Sequence, residues 1–277
     1  MSATSPSRAR FQRLLAGDVC VVPAAVFDPL SARVADRLGF AAAMLPGSLA
    51  SHAMLAAPDN LTLTLTELAG LCARITRVAA LPLVVDADHG FGGVPNVRRT
   101  IEELEAAGVA AITIEDTLLP PPFGSAGKAA LVSIAEGRAK LRAALDARHD
   151  PGLAIVGRTS AAEIAGFGEA LSRVRAYQAE GADALFVIGL TTLEQLEEIA
   201  GECRAPLILA GVGPALDDPS LLARHGVRML LRRHLTLRRA TEAVARTLIE
   251  QQGIEGTTTV APGLDDLLTD TRAAQTG

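Results

Sequence analysis

The residues best suited to chemistry are acids gathered in two short phrases. Asp86 and Asp88 fall in VVDADHGFGG, and Glu115 and Asp116 fall in ITIEDTLLP. Each phrase ends a run of branched apolar residues that reads as a buried strand, so the acids stand at strand ends. Side chains alternate along a strand, which sends Asp86 and Asp88 to one side, and neighbouring strands lie about 4.8 Å apart. If the two runs are neighbours, three or four carboxylates share one spot. Like charges that close persist only when some are protonated or a cation lies among them. The donors are hard oxygens, with only His89 adjacent and no cysteine nearby, which argues for Mg2+ or Mn2+ over zinc or copper. Mg2+ keeps several waters and takes one or two carboxylates directly, leaving positions for a chelating substrate. The competing assignment has these acids capping helices or pairing with arginines such as Arg98 and Arg99.

Two further features could complete such a site. Arg158, in IVGRTS, ends another apolar run, and a guanidinium there offers a bidentate grip on a carboxylate. The alternative is an internal ion pair with Glu115 or Asp116. In LPGSLAS, Gly47 lets the backbone approach closely and Ser48 adds a hydroxyl, and turned amides there would form an anion-binding nest.

These residues need a scaffold that brings strand ends together. Eight apolar runs are candidate strands: Val19 to Pro23, Ala42 to Leu45, Leu83 to Asp86, Ala111 to Glu115, Leu153 to Gly157, Ala184 to Ile188, Leu207 to Ala210 and Val227 to Leu231. They are continuous in polarity, as strands buried on both faces are. Helical periodicity fills the intervals at Pro29 to Leu38, Leu65 to Val78, Val97 to Ala107, Ile134 to Ala147, Phe167 to Ala179, Leu193 to Cys203 and Ser220 to His225. Gly39, Gly108, Gly181 and Gly226 each end such a stretch, the pattern of a left-handed C-cap leading into the next strand. The expected fold is therefore α/β, a single-domain (β/α)8 barrel with its core over about 18–251, and catalytic groups at the C-terminal strand ends. Residues 1–12 and 264–277 read as peripheral, and Leu235 to Gln251 as a last helix packed on the outside. A doubly wound open sheet would carry a glycine fingerprint after its first strand, and PAAVFDPLSA has none.

Composition narrows the function classes. The 277 residues carry a formal charge of −5, one Tyr and no Trp, so neither a basic field nor an aromatic stacking surface points to nucleic acid. No uninterrupted apolar run reaches the roughly 18 residues of a membrane helix. The first twenty residues lack a signal-peptide h-region, and Cys20, Cys72 and Cys203 form no CxxC pair. A cytoplasmic protein with reduced thiols is expected.

The succession AAVFDPLSARVA, PGSLAS, VVDADHGFGGVPNVRRTIEELEAAGVAAITIEDTLLP, IVGRTSA and RAYQAEGADALFVIGL resembles the isocitrate lyase and phosphoenolpyruvate mutase superfamily over about residues 20–240. The resemblance implies an α/β barrel, usually a homotetramer with the eighth helix exchanged between subunits. It also implies Mg2+-dependent chemistry on small 2-oxo carboxylates through an enolate. Carried over by position, Asp88 is the direct Mg2+ ligand, and Asp86 and Glu115 hold metal-bound water. Gly47 and Ser48 bind the substrate carboxylate with Arg158, Phe27 and Asp28 line the mouth, and Asp59 is an acid on a mobile segment.

Departures from the pattern choose among branches. Lyases of the superfamily carry a Lys-x-Cys-Gly-His loop after the fourth strand, where this chain has PPPFGSAGKAALVS with Lys128 alone. That favours the oxaloacetate decarboxylase branch, in which a histidine follows strand eight, here His234. Phosphonopyruvate chemistry, or a binding protein without turnover, are the alternatives. Ser160, Ile188 and Gly211 replace polar groups usual in the superfamily. Arg232 and Arg233 either grip a second carboxylate or form a solvated basic turn with Arg238 and Arg239.

Overall fold

The computed structural model describes residues 5–121, 124, 128–252 and 263–268. Eight parallel strands follow in chain order as β1 Ala24–Ala25, β2 Ala43–Leu45, β3 Leu83–Asp86, β4 Ala111–Glu115, β5 Ala154–Thr159, β6 Ala184–Ile188, β7 Leu207–Ala210 and β8 Val227–Leu231. Helices α1 Pro6–Ala16, α2 Pro29–Arg37, α3 Gly47–Leu55, α4 Leu65–Val78, α5 Val94–Ala106 and α6 Ile134–Ala147 belong to the first half of the chain. The second half adds α7 Ala161–Ile164, α8 Phe167–Ala179, α9 Leu193–Glu202, α10 Pro219–Arg224, α11 Thr236–Gln251 and α12 Leu264–Leu268. This is the expected α/β barrel in one domain, and Gly39, Gly108, Gly181 and Gly226 all have the positive φ of a left-handed cap.

The first strand differs from its expected position. Regular pairing begins at Ala24, while Val21 makes an isolated parallel bridge to Met229. Pro23 has no N–H to donate to a ladder, so it separates the two pairings. The Val21 bridge joins the two edges of the sheet: its amide donates to the Arg228 carbonyl at 3.0 Å, and its carbonyl accepts from the Leu230 amide at 2.9 Å.

Two apolar clusters build the molecule. Inside the strands lie Met44, Val84, Ala111, Val156, Phe186, Ile208 and Met229, and between strands and helices lies a larger outer layer. Alternation makes this division, since successive residues of one strand serve opposite layers. The N-terminal residues, expected at the periphery, instead close the base of the barrel. Phe11 and Leu15 of α1 belong to the inner cluster, with Phe11 fully buried. Arg8 anchors this plug through the Val109 and Glu105 carbonyls and Asp150 Oδ2 at 2.7 Å. The plug was not legible because a barrel interior has no periodic signal of its own.

The last long helix also departs from expectation, since α11 buries none of its residues. It rests on α12, where Arg238 Nη2 lies 2.9 Å from Asp265 Oδ1. Residues 269–277 of the expected peripheral tail, and most of the loop around PPPFGSAGK, lie outside the described residues. Among the described residues no helix is long and apolar enough to cross a membrane.

Candidate active site

Interior positions turn polar at the C-terminal end of the barrel. Val84 gives way to Asp86, Thr113 to Glu115, and Val156 to Arg158, each two residues further along its strand. Register sets them side by side: Asp86 pairs with Thr113, and Glu115 with Arg158. Arg158 Nη1 donates to Asp86 Oδ2 at 2.5 Å, Nη2 lies 3.0 Å from Glu115 Oε2, and the guanidinium stands over the Phe186 ring at 5.5 Å. Thr113 Oγ1 donates to Asp86 Oδ1 at 3.0 Å. The internal ion pair considered for Arg158 therefore forms with Glu115, and with Asp86 rather than Asp116.

Asp88 is held differently. Its φ of 47° is left-handed, a conformation costing about 1–3 kcal/mol outside glycine and least unfavourable for Asp and Asn. Its carboxylate lies against Gly47, where a Cβ would stand 3.0 Å from Oδ1, so any larger residue there would press on the carboxylate. Gly47 opens α3, whose N-cap Pro46 provides no side-chain cap, and the free amides of that first turn are an anion-binding end. Burial, then Asp86, Asp59 and Glu115, push the Asp88 carboxyl up to about 8. Burial also raises Glu115 to about 7 against the opposing pull of Arg158, and raises Asp59, with Asp86 adding to it.

His234 faces the same charges. Burial lowers its pKa, while Asp86 raises and Arg158 lowers it, and its Nδ1 is buried without a partner among the described residues. The structure thus brings together Gly47, Asp59, Asp86, Asp88, Glu115, Arg158 and His234, with Ser48 next along α3. Phe27 and Asp28 are placed along a groove of about 680 Å3 shared with His234, Arg232 and Arg233. There Asp28 caps α2, accepting from the Ser31 amide at 2.7 Å. Asp28→Ala is expected to cost about 1 kcal/mol in urea denaturation, the usual value of such a cap, while leaving KM within twofold. A large KM change at equal stability would return Asp28 to substrate binding.

Asp116 is not part of the cluster. It is 2% exposed, and its Oδ2 accepts from Arg173 Nη1 at 2.8 Å and from the Tyr177 hydroxyl at 2.7 Å, tying β4 to α8. Alternation already separates it from Glu115. Of the other arginines, Arg99 pairs with Glu103 of its own helix and Arg232 with Asp217 at 2.8 Å. Glu163, unnoticed in the sequence, accounts for Gly211. Its side chain from α7 lies across Gly189 and Gly211, and its Oε1 would stand 3.2 Å from a Cβ at either. A carboxylate from another strand end thus occupies space expected for a β7 side chain.

The donor set fits a divalent cation. Four carboxylates face one guanidinium, and Asp88 makes no ion pair among the described residues. No three His, Cys, Asp or Glu side chains among the described residues are grouped to ligate one ion together. One direct carboxylate with others reached through water suits that spacing, and it is the coordination Mg2+ favours.

Comparison with known proteins agrees with this geometry. Residues 11–251 match the phosphoenolpyruvate phosphomutase family. The chain is 50% identical over 241 residues to an oxaloacetate decarboxylase of Rhodopseudomonas palustris strain BisA53, covering 87% of this chain and 83% of that one. It is 48% identical over 237 residues to an oxaloacetate decarboxylase of Paraburkholderia xenovorans strain LB400, covering 86% and 79%. Among solved structures, oxaloacetate acetylhydrolase superposes with a TM-score of 0.80 at 27% identity over 99% of this chain and 98% of that one. A phosphonopyruvate hydrolase solved with oxalate and Mg2+ gives 0.77 at 26% identity over 97% of each. With a barrel of this order, a strand-end acid cluster and a family match across most of its length, the chain belongs to the phosphoenolpyruvate phosphomutase family.

Proposed function

We propose that this protein is a divalent-metal-dependent decarboxylase of oxaloacetate or a close 2-oxo diacid, a carboxy-lyase acting through an enolate. The observation that carries the reading is the cluster of four carboxylates around Arg158, beside the uncapped N-terminus of α3. The relatives named oxaloacetate decarboxylase at about half identity supply the substrate.

In this reading Asp88 holds Mg2+, or Mn2+, directly, and Asp86 and Glu115 hold it through water. When bound, the ion supplies Lewis-acid stabilisation of negative charge developing on the keto oxygen. The Gly47 and Ser48 amides and Arg158 orient the C1 carboxylate, drawing on the positive end of the helix and on charge-assisted hydrogen bonds. The C3–C4 bond then breaks, C4 leaves as carbon dioxide, and its electron pair enters the C2–C3 enolate. One proton must reach C3. His234, whose pKa burial lowers, relays it from solvent, and Asp59, a carboxyl whose pKa burial raises, is a second group able to carry it. Phe27 and Asp28 shape the groove wall beside His234.

The test is carbon dioxide release from oxaloacetate by the purified protein with Mg2+, against the same Mg2+ alone. Equal rates overturn the proposal. Phosphate release from phosphonopyruvate would move it to P–C bond chemistry, and oxalate binding without turnover would leave a 2-oxo acid binding protein.

The same reading extends to assembly as a homotetramer. Leu30, Val34 and Leu38 line the groove on α2 at 69%, 51% and 71% exposure, while α11 leaves Val244 and Leu248 uncovered at 57% and 53%. Apolar surface of this kind marks a contact with another chain, and α11 of a second copy, exchanged between subunits, suits it in its exposed apolar character. Val34→Glu is expected to lower the sedimentation coefficient to that of a smaller species; an unchanged value refutes the exchange. A cytoplasmic location accompanies the proposal, in keeping with the unpaired thiols of Cys20, Cys72 and Cys203.

A further inference from the structure

The loop after β3 concentrates unusual backbone geometry. Asp88, Gly90, Phe91 and Gly92 have φ of 47°, 80°, 58° and 144°, four left-handed residues within five. For the two that are not glycine, Asp88 and Phe91, such a conformation persists only where the surroundings over-determine it. Here three consecutive carbonyls are each held by a different element. The Asp88 carbonyl accepts from the Glu115 amide of β4 at 2.8 Å. The His89 carbonyl accepts from Lys140 Nζ of α6 at 3.1 Å, and the Gly90 carbonyl lies 3.1 Å from Thr100 Oγ1 of α5.

The three holds are unequal. Thr100 Oγ1 also lies 2.9 Å from the Asn96 carbonyl, so its single proton is divided between two acceptors. Lys140 brings three protons and a full charge. Its side chain is 4% exposed, and its nearest carboxylate oxygen, Glu136 Oε1 on the same helix, is 3.9 Å away on a half-exposed side chain. Lysine is almost never this buried without a partner. The partner that accounts for its placement is the carbonyl of the residue after Asp88.

We propose that Lys140 is a positioning residue for the acid loop: its ammonium, seated on the His89 carbonyl, keeps Asp88 in the left-handed conformation that aims its carboxylate into the cluster. The inference rests on the metal site proposed above only for its consequence in ion binding. Its structural content concerns the metal-free chain, so the two can fail separately. Groups that support ligands from outside the coordination sphere are worth about 10- to 100-fold in metal affinity.

Three variants test it. Lys140→Met keeps the length of the stem and removes the ammonium, Thr100→Val removes the divided bond, and Glu136→Gln removes the distant acid. In chelator-treated protein, amide exchange at Glu115 is expected to rise at least tenfold in Lys140→Met and less in Thr100→Val, with the β7 amides unchanged. Glu136→Gln is expected to match wild type. In calorimetric titration with Mg2+ alone, Kd is expected to rise about 10- to 100-fold in Lys140→Met, and the apparent KM for Mg2+ with it. The kcat at saturating Mg2+ is expected to stay within threefold. Wild-type exchange at Glu115 in folded Lys140→Met overturns the proposal. Should that variant fail to fold, Lys140→Gln, shorter and neutral, takes its place, and wild-type exchange at Glu115 in it overturns the proposal. If wild-type protein takes up no Mg2+, the metal assignment falls, and the Glu115 exchange still decides the role of Lys140.

Discussion

Asp88→Asn is expected to lower kcat/KM for oxaloacetate by about 10²- to 10³-fold, the loss that follows removal of one group stabilising a transition-state oxyanion. That factor corresponds to about 3–4 kcal/mol of transition-state stabilisation. Chelation of wild-type protein is expected to produce a loss at least as large, reversed by Mg2+ or Mn2+, whereas added metal should do little for the variant. Asparagine is the informative substitution because it also accepts the left-handed backbone, so the change removes charge without disturbing φ. The effect on folding has the opposite sign. In metal-free protein the Asp88 carboxyl is raised to about 8 by burial, Asp86, Asp59 and Glu115. A group raised above its unfolded value contributes stability at low pH that is lost as pH rises through the folded value. Metal-free wild type should therefore lose stability between the ordinary carboxylate range and pH 8. The Asn variant should lose less and be at least as stable at neutral pH. A variant of full activity, or one that unfolds, contradicts the role given to Asp88.

Arg173→Ala is expected to cost about 3–5 kcal/mol of folding stability at neutral pH, because removing one partner of a buried pair strands the other charge. Arg173 is 4% exposed and Asp116 2%. The guanidinium also donates to the Val132 carbonyl at 2.8 Å and to Glu169 Oε1 at 2.9 Å, so one substitution releases four acceptors or partners between β4 and α8. The Tyr177 hydroxyl remains on Asp116 Oδ2, which holds the loss within that range. Urea midpoints at neutral pH measure the loss. Activity lost at unchanged stability would place Asp116 in the catalytic cluster after all.

Much of the architecture was legible because buried parallel strands advertise themselves. Ala111 to Glu115 and Ala184 to Ile188 match their strands residue for residue, since a strand covered on both faces must be continuously apolar. Short or interrupted elements were less legible. Pairing at Ala24 and Ala25 follows from Pro23 and from the sheet having to close, and closure is a long-range requirement. The plug formed by Phe11 and the uncovered face of α11 depend on what lies opposite each helix, which periodicity alone does not record.

The candidate site divides along the same line. Residue types and strand-end positions already brought Asp86, Asp88, Glu115 and Arg158 forward, because interior strands ending in charge are costly unless those charges have work to do. Alternation could equally have set Asp116 aside, yet only its contacts with Arg173 and Tyr177 make its structural role plain. Lys140 and Glu163 were silent in the sequence. One reaches the acid loop from a helix 51 residues away in the chain, and the other crosses two glycines just past the ends of neighbouring strands.

From its amino acids alone this protein was destined for a parallel barrel with acids at one rim, because strand burial and side-chain alternation are local properties of the chain. Which acids face one another, which arginine neutralises them, and what holds Asp88 in its left-handed turn were decided by the tertiary structure. Charges interact through space, and their partners are chosen by packing between segments that the sequence keeps far apart.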